Sequence, residues 1–274
     1  MSRASAMADA DAHPAPDPLR ALAAGGAPRR FTDDAGAHWH CRDNGRAAPP
    51  LVLLPGALGS GDVAWRIAEA FDAEFRVIGV TYPGGLAPAA LAGGLGALLD
   101  ALATGPVALW GSSYGAWWAQ AFAARFPQRI SALWLGNTFV DGADVASSPL
   151  FDAAWLGAAT SEGVIDRWHA ALAARPDDLL RAVQLHMLHH GLPAQDFHRR
   201  LQQVAQAEAL PPAAGIANTV VSDCADDPTI APAVRERVRA RYPKARHLTL
   251  ARGGHYPHIV AAEPLIAAMR RWLA

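Results

Sequence analysis

Short apolar runs recur along the chain from residue 51 onward. They lie at residues 51–54, 75–80, 107–110, 132–135, 219–222 and 247–250. Most of these runs lack the polar alternation that is typical of half-exposed strands, and we interpret all of them as parallel strands buried on both faces.

The segments between these runs carry apolar residues at intervals of three and four, which predicts helices packed on the sheet. The predicted helices cover residues 63–71, 89–103, 114–126, 231–242 and 259–273. Residues 31–46 predict a hairpin, because turn-forming residues at 33–36 separate two short strands. The whole pattern predicts an α/β fold with a mostly parallel central sheet and helices on both faces.

One connection is too long for a simple crossover. Almost eighty residues separate Phe139 from Ala217, and helical spacing recurs within them at residues 151–156, 164–174 and 177–190. A connection of this length predicts an inserted helical lid at residues 141–213. The core of the domain then consists of residues 29–140 and 214–274.

Composition narrows the function classes and the location. The net charge is −1 and the basic residues are scattered, so neither nucleic acid nor an anionic membrane is an expected partner. Residues 1–28 are rich in Ala, Pro and Asp, which predicts a disordered tail without a signal peptide or membrane span. Cys41 and Cys224 match no metal-ligand spacing and suit a reducing compartment. We therefore expect a cytoplasmic protein, and nothing in the sequence indicates a protein partner.

A strand, a tight turn and a helix at residues 107–126 carry the candidate nucleophile. The turn has the pattern Gly-Xaa-Ser-Xaa-Gly, centred on Ser113. Flanking glycines allow the sharp turn that presents such a serine at the edge of a sheet. The pattern predicts Ser113 as the nucleophile and the backbone N–H of Tyr114 as a donor to a developing oxyanion.

A serine hydroxyl needs a base, and the base needs an acid that orients it. His255 follows the last apolar strand in a glycine-rich turn and is the predicted base, with His258 as the second choice. The acid is predicted to follow the preceding strand, where Asp227 is favoured over Asp226 because an Asp-Pro turn leads into a helix there. The alternative is that these aspartates only cap that helix.

The loop after the first central strand is predicted to complete an oxyanion hole through the N–H of Ala57 or Leu58. In the lid, three side chains are candidates for contact with substrate, although aromatic residues at helical spacing also pack as ordinary core. They are Trp155, Trp168 and Met187. Histidines 186, 189 and 190 have a spacing that could hold a metal, but no carboxylate or cysteine is grouped with them, so we interpret them as a polar lid face.

These motifs together resemble those of the α/β-hydrolase fold superfamily from about residue 29 to residue 274. Within this superfamily, the sequence motifs most resemble those of the maspardin family. The motifs are Leu-Leu-Pro-Gly at 53–56, Tyr-Pro at 82–83, Leu-Gly-Asn-Thr-Phe at 135–139 and Arg-Tyr-Pro-Lys-Ala-Arg at 241–246. The best-known member of that family is regarded as a binding protein that lacks the histidine, whereas His255 is present here. The loop also departs from the common His-Gly of hydrolases, since it has Pro55-Gly56.

The sequence therefore predicts a serine hydrolase that cleaves an ester, thioester or lactone of a small, largely apolar substrate. An acyl-enzyme on Ser113 needs no metal or cofactor. Two alternatives are a non-catalytic, maspardin-like interaction module and another reaction of the same fold, such as C–C hydrolysis or acyl transfer.

Overall fold

The computed structural model of the protein describes residues 28–274, so the tail predicted at residues 1–28 lies, apart from Pro28, outside the described residues. The strands are β1 (Arg29–Thr32), β2 (His38–Asp43), β3 (Pro50–Leu54), β4 (Arg76–Thr81), β5 (Val107–Ser112), β6 (Ile130–Gly136), β7 (Thr219–Cys224) and β8 (Arg246–Leu250). They form an eight-stranded sheet with the order β1-β2-β4-β3-β5-β6-β7-β8. Strands β1, β2 and β4 pair antiparallel, and all other neighbours pair parallel. The predicted mostly parallel sheet and its hairpin are confirmed. The prediction for residues 247–250 is wrong in one respect, because no residue of the edge strand β8 is fully buried.

The helices that follow cover both faces of the sheet and the connection after β6. They are α1 (Trp65–Phe71), α2 (Pro88–Ala101), α3 (Tyr114–Arg125), α4 (Ala153–Ala158), α5 (Ser161–Ala173), α6 (Leu179–His190), α7 (Ala194–Ala205), α8 (Pro232–Arg241), α9 (Pro257–Val260) and α10 (Ala262–Leu273). Within the described residues, none of the helices combines the length and the apolar character needed to cross a membrane.

Alternation along the buried strands divides the core between the two faces of the sheet. On β3, Leu51 and Leu53 face α1 and α10, whereas Val52 and Leu54 face α2 and α3. All four side chains are fully buried. Both faces of β3 are therefore covered, which explains its continuous apolar sequence.

The prediction of one continuous C-terminal helix at residues 259–273 is wrong in one respect, because the helix is interrupted at Ala261. The short helix α9 ends at Val260, and α10 begins at Ala262, because the φ of −137° and ψ of 45° at Ala261 are not helical. Helix α9 contacts α1 and α6, whereas α10 packs on the sheet. The break separates a helix that borders the glycine-rich turn from one that belongs to the core.

Helices α4 to α7 lie between β6 and β7, and we call residues 137–218 the helical insertion. The sequence pattern did not indicate α7. Its apolar stripe is narrow, since only Phe197, Leu201 and Val204 are large apolar residues on its buried face. The two other buried residues of this helix are polar, His198 and Arg200, and they interrupt the hydrophobic periodicity.

Candidate active site

The turn between β5 and α3 holds Ser113 in a strained conformation. Its φ of 53° and ψ of −122° lie in a region that residues with a Cβ rarely adopt. A Cβ at Gly111 would lie 2.7 Å from the Cα of Ala116, and one at Gly115 would lie 2.3 Å from the carbonyl oxygen of Pro55. Both flanking positions therefore accept only glycine, and the turn places Ser113 at the carboxyl edge of the sheet.

Three side chains from separate loops meet at this edge. The Oγ of Ser113 lies 2.9 Å from Nε2 of His255. On the other side of the ring, Nδ1 of His255 lies 2.9 Å from Oδ2 and 3.2 Å from Oδ1 of Asp227. An acceptor-only carboxylate at Nδ1 assigns the ring proton to that nitrogen. Nε2 is then free to accept the hydroxyl proton of Ser113.

The carboxylate of Asp227 receives further hydrogen bonds. Backbone N–H groups of Thr229 and Ile230 donate to its Oδ1 over 2.8 and 3.0 Å. Nδ2 of Asn137 donates to its Oδ2 over 2.8 Å. Burial by itself raises the pKa of Asp227, but His255, Asn137 and the N–H of Ile230 outweigh burial and hold that pKa below its ordinary value. Asp227 is therefore ionised at neutral pH.

Asn137 is a site residue that the sequence reasoning did not single out. It directly follows β6, adopts a positive φ of 45°, and its Nδ2 also donates to the carbonyl oxygen of Gly254 over 3.1 Å. One side chain thus contacts both the carboxylate and the turn that carries His255. The signal was present, because a polar residue directly after a buried parallel strand lies at the sheet edge where such sites form.

The two remaining candidates for the acid and the base have other contacts. Asp226 is exposed, and its carboxylate accepts hydrogen bonds from the N–H groups of Gly253 and Gly254 over 3.3 and 2.8 Å. It supports the turn before His255 rather than the imidazole. The ring of His258 packs edge-on against Trp110, and neither of its nitrogens has a hydrogen-bond partner within residues 28–274. Burial lowers the pKa of His258 to about 3, so this ring is neutral.

The predicted oxyanion loop lies directly beside Ser113. A Cβ on Gly56 would lie only 3.2 Å from the Cβ of Ser113. The carbonyl oxygen of Gly56 accepts the N–H of Gly59 over 3.2 Å, and it lies 3.4 Å from the hydroxyl of Tyr82, which donates to the carbonyl oxygen of Pro55 over 2.6 Å. Because this peptide bond is trans, the N–H of Ala57 points away from those two groups. Within the described residues, the N–H groups of Ala57, Leu58 and Tyr114 donate no hydrogen bond.

Arg200 is the second site residue that the sequence reasoning missed. Its side chain extends from α7 of the helical insertion and is fully buried. Nη1 donates to the carbonyl oxygen of Gly59 over 2.9 Å, Nη2 donates to that of Tyr82, and the guanidinium lies 3.8 Å from the centroid of the Tyr82 ring. Burial lowers the pKa of Arg200. This cation forms no ion pair within residues 28–274 and is stabilised instead by backbone carbonyls of the loop after β3 and of Tyr82, which follows β4.

A cavity of about 290 Å³ opens onto Ser113 and His255. Side chains of the helical insertion supply most of its apolar wall, including Trp168 and Met187. Trp155 does not line the cavity, since its ring instead lies 4.0 Å from the Arg167 guanidinium. The direction that each insertion side chain faces depends on how the helices pack, which spacing alone did not specify.

Four of the five histidines of the helical insertion form two pairs. The rings of His186 and His190 have centroids 4.9 Å apart, and Nδ1 of His169 lies 2.9 Å from Nε2 of His189. Among residues 28–274, no group of three His, Cys, Asp or Glu side chains is arranged to hold a metal ion.

Comparison with known proteins identifies the family. The model of the alpha/beta hydrolase family matches residues 51–268. The chain belongs to the α/β-hydrolase family. None of the curated proteins compared with this α/β hydrolase matches its sequence.

Solved structures with the same fold cover nearly the whole hydrolase. A hydrolase from Pseudomonas aeruginosa PA01 is 23% identical, with a TM-score of 0.74 over 91% of this chain and 99% of that one. A thermophilic esterase from Thermogutta terrifontis is 22% identical, with a TM-score of 0.74 over 90% of this chain and 98% of that one. The enol-lactonase from Burkholderia xenovorans LB400 is 19% identical, with a TM-score of 0.74 over 89% of this chain and 99% of that one. At these identities the likeness shows the fold alone.

Proposed function

We propose that this α/β hydrolase is a serine hydrolase that cleaves an ester, thioester or lactone of a small, largely apolar substrate. The observation that carries the proposal is the continuous contact from Ser113 through His255 to Asp227, with both distances at 2.9 Å. A hydroxyl, an imidazole and a carboxylate in this order activate a serine for attack on a carbonyl.

In the first half of the reaction, the Oγ of Ser113 attacks the carbonyl carbon while Nε2 of His255 takes the hydroxyl proton. The ionised carboxylate of Asp227 stabilises the imidazolium that forms. The new C–O bond places negative charge on the carbonyl oxygen. When the tetrahedral intermediate collapses, the leaving alcohol or thiol takes the proton from His255, and the acyl group remains on Ser113.

The oxyanion is proposed to bind at the free N–H groups of Tyr114 and Ala57. The N–H of Tyr114 begins helix α3, where the helix dipole favours negative charge. Ala57 is favoured over Leu58 because it follows Gly56, the residue that lies against Ser113. Each such donor contributes about 3 kcal/mol of transition-state stabilisation in comparable sites.

Water completes the reaction. Nε2 of His255 removes a proton from a water molecule, the resulting hydroxide attacks the acyl carbon, and the proton passes to the Oγ of Ser113 as the acid leaves. This cycle requires no metal or cofactor. The helical insertion acts as the lid that restricts the substrate, because its apolar side chains form most of a cavity of about 290 Å³.

The test is the hydrolysis of short-chain p-nitrophenyl esters by the wild-type protein and by Ser113→Ala. We expect wild-type turnover with an initial burst of nitrophenol, and a loss of at least about a thousandfold in Ser113→Ala. Activity near the wild-type value in Ser113→Ala would contradict the proposed nucleophile. If the folded wild-type protein hydrolyses no activated ester or thioester, the maspardin-like interaction module becomes the better explanation.

A further inference from the structure

The cavity beside Ser113 contains an uneven distribution of charge. No carboxylate side chain lines it, and its ionisable lining residues within the described chain are two histidines, Tyr256 and one cation, Arg175. Arg175 lies in the turn between α5 and α6, at the mouth of the cavity, and is itself exposed. A cation at the opening of an apolar cavity attracts anions, because low-dielectric walls focus its field toward the interior.

The guanidinium of Arg175 is fixed in place but not neutralised. Its Nη1 donates to Oε1 of Gln184 over 2.9 Å, and Gln184 is only 2% exposed. The backbone N–H of Arg175 donates to the carbonyl oxygen of Leu172 over 3.0 Å. No carboxylate lies within ion-pairing distance of Arg175 in residues 28–274, although neighbouring Arg181 pairs with Asp177. A buried neutral amide thus orients a cation whose other N–H groups remain free.

A guanidinium with free N–H groups in one plane is suited to a carboxylate, which accepts two parallel hydrogen bonds. We propose that Arg175 recognises a carboxylate on the substrate, so that the preferred substrates are anionic: esters whose acyl chain ends in a free carboxylate. The apolar wall binds the methylene chain between the two ends, while Ser113 attacks the ester carbonyl. This inference rests on the proposed hydrolase function and specifies its substrate class.

Two matched series of substrates test the inference. One series contains the monomethyl esters of dicarboxylic acids from succinate to suberate, and the other contains the methyl esters of monocarboxylic acids of the same chain length. For the best chain length we expect the wild-type protein to have a kcat/KM about tenfold higher for the anionic ester. In Arg175→Gln the ratio of anionic to neutral kcat/KM falls to about one.

Arg252→Gln is the matched control. Arg252 is also exposed, precedes the turn that carries His255, forms no ion pair within the described residues and does not line the cavity. Its substitution removes the same charge and leaves the ratio at its wild-type value. An unchanged ratio in Arg175→Gln, or a wild-type preference for neutral esters at every chain length, overturns the inference.

A binding measurement separates this inference from the proposed function. In the Ser113→Ala background, calorimetric titration with the best monomethyl ester measures affinity without turnover. We expect Arg175→Gln to raise the Kd about tenfold, and added salt to reduce this difference. Equal Kd values with and without Arg175 overturn the inference, whether or not the wild-type protein hydrolyses esters. Failure of ester hydrolysis alone contradicts the proposed function.

Discussion

Asn137 and Asp227 are joined by a hydrogen bond of 2.8 Å from an amide nitrogen to the carboxylate oxygen that also contacts His255. The two residues follow different strands, β6 and β7, which are neighbours in the sheet. The same amide contacts the turn before His255 through the carbonyl oxygen of Gly254. Asn137 therefore acts as a positioning residue that links the proposed acid to the loop of the proposed base.

The contribution of Asn137 can be measured by Asn137→Gly. Glycine tolerates the φ of 45° at this position, so the substitution removes the side chain without adding backbone strain. We expect kcat to fall about tenfold, because a charge-assisted hydrogen bond to the carboxylate is lost. We expect Asn137→Ala to lower kcat by the same factor. Its free energy of unfolding is expected to be about 1 kcal/mol lower than that of Asn137→Gly, because alanine is strained at positive φ. A wild-type kcat in Asn137→Gly would contradict the positioning role.

Two adjacent aspartates provide a matched pair for the proposed acid. Asp227→Asn is expected to lower kcat about ten-thousandfold, because an amide at this position can favour the wrong imidazole tautomer. Asp226→Asn keeps an oxygen acceptor for the N–H of Gly254 and is expected to lower kcat by less than about tenfold. Steady-state kinetics with one ester measure kcat for the wild-type protein and for both variants. Similar losses in the two variants would show that the acid is not Asp227 alone.

The buried ring of His258 predicts a pH dependence of stability. Its pKa in the folded protein is about 3, below the ordinary value of 6.5, so the unfolded chain binds the proton first as pH falls. As pH falls from 6.5 toward 3, the free energy of unfolding therefore decreases by about 1.4 kcal/mol per pH unit. His258→Phe removes this dependence, so the wild-type free energy of unfolding falls more steeply than that of the variant. Urea unfolding at about pH 7 and about pH 5 measures both slopes.

Parallel slopes for the wild-type protein and His258→Phe would show that the ring is protonated in the folded state. The comparison is specific, because the other titrating groups are common to both proteins. Phenylalanine preserves an aromatic edge against Trp110.

Arg200 connects the helical insertion to the proposed oxyanion loop through the carbonyl oxygen of Gly59. Arg200→Met leaves that carbonyl and the one of Tyr82 buried without a donor, so we expect a loss of about 3 kcal/mol in the free energy of unfolding. We also expect kcat to fall at least about tenfold with a smaller change in KM, because the N–H of Ala57 loses its orientation. Arg199→Met is the control, since Arg199 is the exposed neighbour on α7.

Kinetics and urea unfolding of the two variants decide the role of Arg200. If Arg200→Met loses stability but retains the wild-type kcat, the residue is structural only. If both variants behave alike, the buried contacts are unimportant.

The fold was predictable because continuous apolar strands and helical spacing are local features of the sequence. The candidate nucleophile Ser113 was predictable because the Gly-Xaa-Ser-Xaa-Gly pattern is also a local feature. The structure explains the two glycines, since a Cβ at either position would lie too close to neighbouring backbone atoms. The choice between Asp226 and Asp227 depends on how one turn folds, and the pattern left it open. Arg200 was hidden because a buried cation that binds backbone carbonyls has no signature in periodicity. Trp155 does not line the cavity beside Ser113, and the sequence could not show this because the packing of α4 determines which way its ring faces.

Ser113 is proposed to be a nucleophile that His255 activates. The most direct measurement is labelling with a fluorophosphonate probe, followed by mass spectrometry of the modified peptide. We expect one adduct on Ser113 in the wild-type protein, retention of that adduct in Ser112→Ala, and its loss in Ser113→Ala and in His255→Ala. An adduct on Ser113 that persists in folded His255→Ala, or no adduct on the folded wild-type protein, would contradict the account.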